Sequence, residues 1–267
     1  CQNAYVKPVE YCHLRKVSLK SIGLIIVAAI FLFIMADYVN ACSMIAFQNL
    51  LDDSLQAIVN KPVEALVVVA ILPAIIEEFL FRGMIYRGIA NKSNKKIVII
   101  ISALLFAFLH MNFNQMCYAF VMGLVFAIVI YLTDNLSVSI LLHMLFNAFT
   151  VIITCFEKSN AIQAILQCNI AGYTLFNPSL TDTQGKIEIS LLIIGGLIAI
   201  LSAVIAGWLI LLIAKTEKTT ETTINNENIL KDNDNIFKNN ENWKPDLRFF
   251  AGSGVCILIA ILYEILL

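Results

Sequence analysis

The sequence predicts an all-α fold, a polytopic membrane helix bundle of seven or eight transmembrane helices. Three observations predict it. Of 267 residues, 60% are hydrophobic and 14% are charged, against about 45–50% and about 25% in soluble domains. Mean hydropathy is +0.83. Apolar runs approaching bilayer length recur along nearly the whole chain, separated by polar turns. The net charge of −1, from 18 basic and 19 acidic residues, excludes a polyelectrolyte surface for nucleic acid. The seven cysteines form no CxxC and no zinc-finger spacing, and several lie in apolar stretches, where Cys behaves as a small hydrophobe. An initial Cys1 is read as a start inside a longer chain rather than as a lipoprotein cysteine.

The elements follow in order. Residues 1–20 carry Lys7, Arg15, Lys16 and Lys20 and form a cytoplasmic tail, with His13 at its surface. The membrane bundle occupies 21–214. Its first apolar run is Ser21 to Ala36. A long helix follows from Pro62 to about Ala90, because Pro suits a helix start, and Pro73 kinks it. At ~1.5 Å per residue this helix is ~43 Å long, more than the ~30 Å hydrocarbon core, so its basic end projects. The turn 91–96 holds Lys92, Lys95 and Lys96, and three further apolar runs cover 97–111, 116–132 and 136–156. The stretch 161–176 is less apolar and reads as a surface or re-entrant helix. If it crosses, there are eight spans, otherwise seven. Residues 187–214 are strongly apolar, 215–246 form a polar loop rich in Asn, Lys, Glu and Thr, and 247–267 form the final span. With seven spans, the basic segments all fall on the cytoplasmic side of a multi-pass cell-membrane protein.

Ionisable residues inside apolar spans are costly and mark function. Glu77, Glu78, Arg82, His110 and His143 are such residues, and Asn147 joins them. Glu78 and Arg82 stand four apart, share a helix face and can pair. Glu77 is rotated by about 100° and lies outside that pair. A carboxylate in such a low-dielectric site suits a general base. His143 and Asn147 also share a face, as do Phe106 and His110. Counted from the basic turn, Glu77 and His110 are both ~21 Å deep, so they can sit level. His143 reaches that level if the 91–96 hairpin projects. This set can activate water at Glu77 and His110, with His143 and Asn147 donating to an oxyanion. Glu77, His110 and His143 are also a donor set that suits a divalent metal such as zinc, although no HExxH is present.

Glu77-Glu78-Phe79-Leu80-Phe81-Arg82 resembles the EExxxR motif of the CPBP family of intramembrane peptidases, which includes CAAX prenyl proteases and bacteriocin-processing proteins. Phe106 to His110 resembles its FxxxH motif, and His143 to Asn147 its HxxxN motif, in the same order. The resemblance covers about 62–150, which it implies is the catalytic core. It implies hydrolysis of a peptide bond in a membrane-associated peptide or protein. Glu77 and His110 would activate water, His143 and Asn147 would stabilise the oxyanion, and Glu78 and Arg82 would support the site. A role in bacteriocin maturation or self-immunity is in keeping with the resemblance, and members work with a divalent metal or with none. Two other readings use the same residues: a non-catalytic immunity or scaffold protein that retains the motifs, and a proton-coupled transporter.

Overall fold

The computed structural model describes residues 11–47, 60–90, 94–181 and 185–231. Its elements are helices, apart from one two-stranded hairpin. Helix α1 (Leu19–Met44) begins at Ser18, whose hydroxyl caps the Ser21 amide, and it is apolar on every face, as suits a helix within a bundle in lipid.

Helix α2 covers residues 62–90 and is compound. Three α-helical pieces, Pro62–Ala65, Leu72–Glu78 and Arg87–Ala90, alternate with two π-helical pieces, Leu66–Ile71 and Phe79–Tyr86. The first π piece ends against Pro73. In an α-helix the amide of residue 73 would donate to the Val69 carbonyl, and proline has no amide to give. The π-helical turn, wider than an α turn, lies just before this proline.

Helices α3 (Lys95–Leu109), α4 (Phe113–Thr133) and α5 (Leu136–Cys155) each start at an asparagine. Asn94, Asn112 and Asn135 accept from the amides of Lys96, Asn114 and Ser137. Asp134, between α4 and α5, closes α4 in the left-handed region at φ 49°. Helix α6 (Asn160–Leu166) leads into strands β1 (Asn169–Ile170) and β2 (Tyr173–Thr174), paired antiparallel around Ala171 and Gly172, both at positive φ. A 7-residue helix is about 10 Å long, so 161–176 does not cross a membrane as a helix.

Helix α7 (Ile189–Lys231) packs along α1, while α3 lies along α4 and α5 lies along the first half of α2. Gly195 and Gly196 let it approach Tyr38 and Tyr173, a contact no side chain would allow at Gly195. Helix α7 runs beyond Ala214 into the polar stretch expected as a loop. Glu217 explains why: its carboxylate accepts from the Ser18 amide and from Asn135 Nδ2, both at 3.2 Å. Thr216, Thr219, Thr220 and Thr222 also turn their hydroxyls back onto carbonyls four residues earlier. Residues 232–267, which include the final span expected at 247–267, lie outside the described residues.

Among the described residues, α1, α4, α5 and Ile189–Thr220 of α7 are each long and apolar enough to cross a membrane. The two π-helical pieces divide α2, and α3 has only 15 residues, so neither counts as an uninterrupted span of that length.

The described part of the N-terminal segment packs onto the bundle. Cys12 is 1% exposed and lies against Gly83 of α2 and Leu136 of α5. His13, expected at the surface, places Nδ1 2.7 Å from Asp134, while Arg15 and Arg87 reach the same carboxylate at 3.3 and 2.9 Å. One aspartate thus ties the N-terminal segment, α2 and the α4–α5 turn together at the basic end of the bundle.

Candidate active site

The site lies where the second half of α2 meets α3, α4 and α5. Glu78 and Arg82 pair across one turn of α2, Oε1 to Nη1 at 2.8 Å, and both side chains are fully buried. A buried ion pair is supported by hydrogen bonds to its remaining donors, a need met here at both Nη atoms of Arg82 but not at Nε, which has no hydrogen-bond partner among the described residues. Arg82 Nη2 donates to the Gly123 carbonyl of α4 at 3.0 Å. The guanidinium carbon stands 4.4 Å from the Phe106 ring centre and 5.3 Å from that of Phe126, which adds a cation–π contribution.

Helix α5 supplies the rest. Ser139 Oγ donates to Glu78 Oε2 at 2.6 Å, and His143 Nδ1 lies 3.2 Å from Glu78 Oε1. Paired with an arginine, Glu78 is ionised and can only accept. The proton of that last contact therefore belongs to His143 Nδ1, and in the neutral imidazole Nε2 is then the basic nitrogen. Nε2 faces Glu77, with Oε2 at 3.9 Å, and both side chains are buried. The imidazole thus sits between two adjacent carboxylates of α2. It is stacked on Phe126 at 4.6 Å and held edge-on by Phe106 at 5.7 Å.

The other two sequence candidates join less directly. His110 caps the end of α3, with Nδ1 3.1 Å from the Phe106 carbonyl and its ring edge-on to Phe106 at 5.2 Å. Phe106 therefore contacts both imidazoles. Asn147, one turn beyond His143, donates from Nδ2 to the Val69 carbonyl at 3.2 Å. That carbonyl is the one residue 73 would serve in an α-helix, so Asn147 supplies a donor beside Pro73 and still has a second amide proton.

Sequence reasoning passed over Ser139, Gly123 and Phe126. Ser139 stands one turn before His143, so the helical spacing that linked His143 to Asn147 extends to it. Gly123 acts through a carbonyl that every residue has, and no sequence signal marks it. Its lack of a side chain also brings α4 against α3, since a Cβ there would lie 3.0 Å from the Ala103 Cα.

Glu77 and His143 approach each other at 3.9 Å, while His110 lies on the other side of Phe106. No group of three or more His, Cys, Asp or Glu able to hold a metal occurs among the described residues.

A bundle of apolar helices around a buried carboxylate–imidazole–guanidinium cluster defines a membrane protein with a polar site inside it. A family model described as Type II CAAX prenyl endopeptidase Rce1-like matches residues 59–149, the segment that carries this site. The chain is also 34% identical over 116 residues to the membrane-embedded CAAX protease MroQ of Staphylococcus aureus (strain USA300), a match covering 41% of this chain. The matched part is 47% of that protein, so the chain spans about half the length of this curated relative. No solved structure matches significantly. The segment that carries the site is thus similar to CAAX-type membrane proteases.

Proposed function

We propose that the chain is an intramembrane endopeptidase that hydrolyses peptide bonds of a membrane-associated peptide or protein. The observation that carries this reading is the imidazole of His143 between two carboxylates, Nδ1 on Glu78 and Nε2 facing Glu77 at 3.9 Å. In this reading Glu77 takes a proton from water as the water attacks the scissile carbonyl. His143 accepts that proton on Nε2. The resulting imidazolium, balanced by Glu78 behind it, donates to the oxyanion together with the second amide proton of Asn147. The proton then passes to the leaving amine. His110 flanks the site across Phe106 and helps to hold the water. Arg82 keeps Glu78 ionised and in place.

The topology that accompanies this reading has seven crossings of the cell membrane: α1, α2, α3, α4, α5, α7 and the final span at 247–267. Its basic end faces the cytoplasm. The substrate is apolar and reaches the site from the bilayer. Maturation of a bacteriocin, or immunity to one, is a biological setting consistent with such a substrate.

The test expresses wild type and Glu77→Gln at matched levels in the same membrane and compares membrane peptidomes by mass spectrometry. Peptides with new termini in wild type alone are expected. Identical peptidomes, together with an immunity phenotype that survives Glu77→Gln, would replace the peptidase reading with a non-catalytic scaffold.

A further inference from the structure

We infer that Ser139 is a positioning residue that sets the tautomer of His143 by holding the Glu78 carboxylate in one orientation. The inference deepens the peptidase reading, and its kinetic arm rests on that reading.

Glu78 has two oxygens and three donors. Arg82 and His143 share Oε1 at 2.8 and 3.2 Å, and Ser139 alone holds Oε2 at 2.6 Å. Arg82 and Glu78 stand on the same helix, so their pairing leaves the carboxylate plane free to turn about the pair. His143 makes the longest of the three contacts and cannot orient the carboxylate itself. Ser139 is fully buried on α5, one turn from His143 on the same face. Its short bond fixes the carboxylate plane from the helix that carries the imidazole. With the plane fixed, Oε1 stays opposite Nδ1, and the proton of neutral His143 stays on Nδ1. Nε2 is then always the unprotonated nitrogen facing Glu77. Without Ser139, Glu78 turns, the bond to Nδ1 weakens, and the imidazole populates the Nε2–H form. In that form the nitrogen facing Glu77 cannot accept a proton.

The sequence makes the test direct, because the chain has only three histidines, His13, His110 and His143. The full chain, labelled with 15N-histidine in detergent micelles, reports each imidazole tautomer by NMR, with His13→Gln and His110→Gln used for assignment. Wild type is expected to show His143 with its proton on Nδ1. Ser139→Ala should add a substantial Nε2–H population at His143, and Ser139→Thr, which keeps the hydroxyl, should restore the wild-type pattern. His110, held by the Phe106 carbonyl, keeps its tautomer in every variant and reports an intact fold. A folded Ser139→Ala protein in which His143 stays wholly Nδ1–H overturns the inference. If Ser139→Ala does not accumulate, Ser139→Cys, near-isosteric with a much weaker donor, is judged by the same criterion.

The kinetic arm uses an internally quenched peptide spanning a cleavage site found in the peptidome comparison. Ser139→Ala should lower kcat toward the ~100-fold that misplacing a reacting group by an ångström costs, with KM unchanged. A change confined to KM overturns the inference. A tautomer shift in a protein that cleaves nothing, wild type included, sinks the peptidase reading and leaves the positioning role standing.

Discussion

Arg82 Nη2 donates to the carbonyl of Gly123 at 3.0 Å, so the guanidinium that holds Glu78 on α2 is also a rivet between α2 and α4. Gly123 serves on two sides. Its carbonyl receives Arg82, and its bare Cα lets α4 lie against Ala103 of α3. The depth of Arg82 in the bundle is therefore coupled to the separation of α3 and α4.

Gly123→Ala follows from that coupling. The new Cβ would stand 3.0 Å from the Cα of Ala103 and 3.2 Å from its Cβ and carbonyl oxygen. These are backbone and near-backbone atoms with no rotamer to yield, so α4 must move away from α3. Overpacking of this kind costs about 1–3 kcal/mol. The expected result is a lower unfolding midpoint in detergent, with cleavage reduced further than the stability loss explains, because the Arg82 contact lengthens. An unchanged midpoint would show that α3 and α4 are not in register at this glycine.

The two neighbouring glutamates should answer differently to one substitution. Glu78→Gln replaces a buried carboxylate that receives three donors with an amide whose own N–H must face one of them. Breaking a buried pair by removing one charge costs about 3–5 kcal/mol, so Glu78→Gln should accumulate poorly. Glu77→Gln keeps a near-isosteric polar side chain and removes a carboxylate that stands 3.9 Å from His143 and outside the Glu78–Arg82 pair. It should insert and melt near wild type while losing turnover. Protein level and melting midpoint, read beside peptide product, separate the two. Equal destabilisation by both would count against distinct roles.

The candidates were legible in the sequence because a charge in an apolar span is conspicuous and helical spacing reports shared faces. Glu78 with Arg82 and His143 with Asn147 could be read from four-residue separations alone. Ser139 obeys the same spacing but carries no charge, and serine in a helix often bonds only to its own backbone. The Gly123 carbonyl and the Val69 carbonyl served by Asn147 were beyond sequence reasoning, since backbone groups leave no mark in composition. The extension of α7 past Ala214 was hidden for a related reason. Glu217 is held by Ser18 and Asn135, 199 and 82 residues away, and local composition reported only a polar stretch. The π-helical pieces of α2 show in the sequence only as Pro73.

Asp134 gives the bundle an acid-sensitive tie. Burial raises its pKa, but the His13 hydrogen bond and the Arg87 guanidinium outweigh burial and hold it below the ordinary carboxylate value. The folded form therefore takes up its proton at lower pH than the unfolded chain does. The stabilisation is fully present above the unfolded value of about 4. It is lost as pH falls through the folded value. The carboxylate is 51% exposed, so solvent screening limits the effect to within about 1 kcal/mol. Asn tolerates the left-handed backbone at this position. Asp134→Asn should thus melt below wild type at about pH 7, and the gap should narrow progressively as pH falls below the unfolded value of about 4. A gap that persists undiminished at acid pH would mean the tie is not ionic.

Helix α7 permits a sharper test of packing, because two of its glycines predict effects of opposite sign. At Gly195 a Cβ would lie 2.8 Å from Tyr38 Cδ2 and 2.9 Å from Tyr173 Cζ. Tyr173 is 1% exposed, so its ring has no room to retreat. Gly195→Ala should destabilise by about 1–3 kcal/mol and loosen the β1–β2 hairpin from α7. At Gly207 nothing lies within 4 Å, and the same substitution there only removes the flexibility of a helical glycine. Gly207→Ala should stabilise by about 0.4–1 kcal/mol. Unfolding midpoints of the two variants, measured side by side, should fall on opposite sides of wild type. If both fall below it, Gly207 faces a partner that covers this side of α7. If both rise, the approach of Tyr38 and Tyr173 is not what requires glycine at 195.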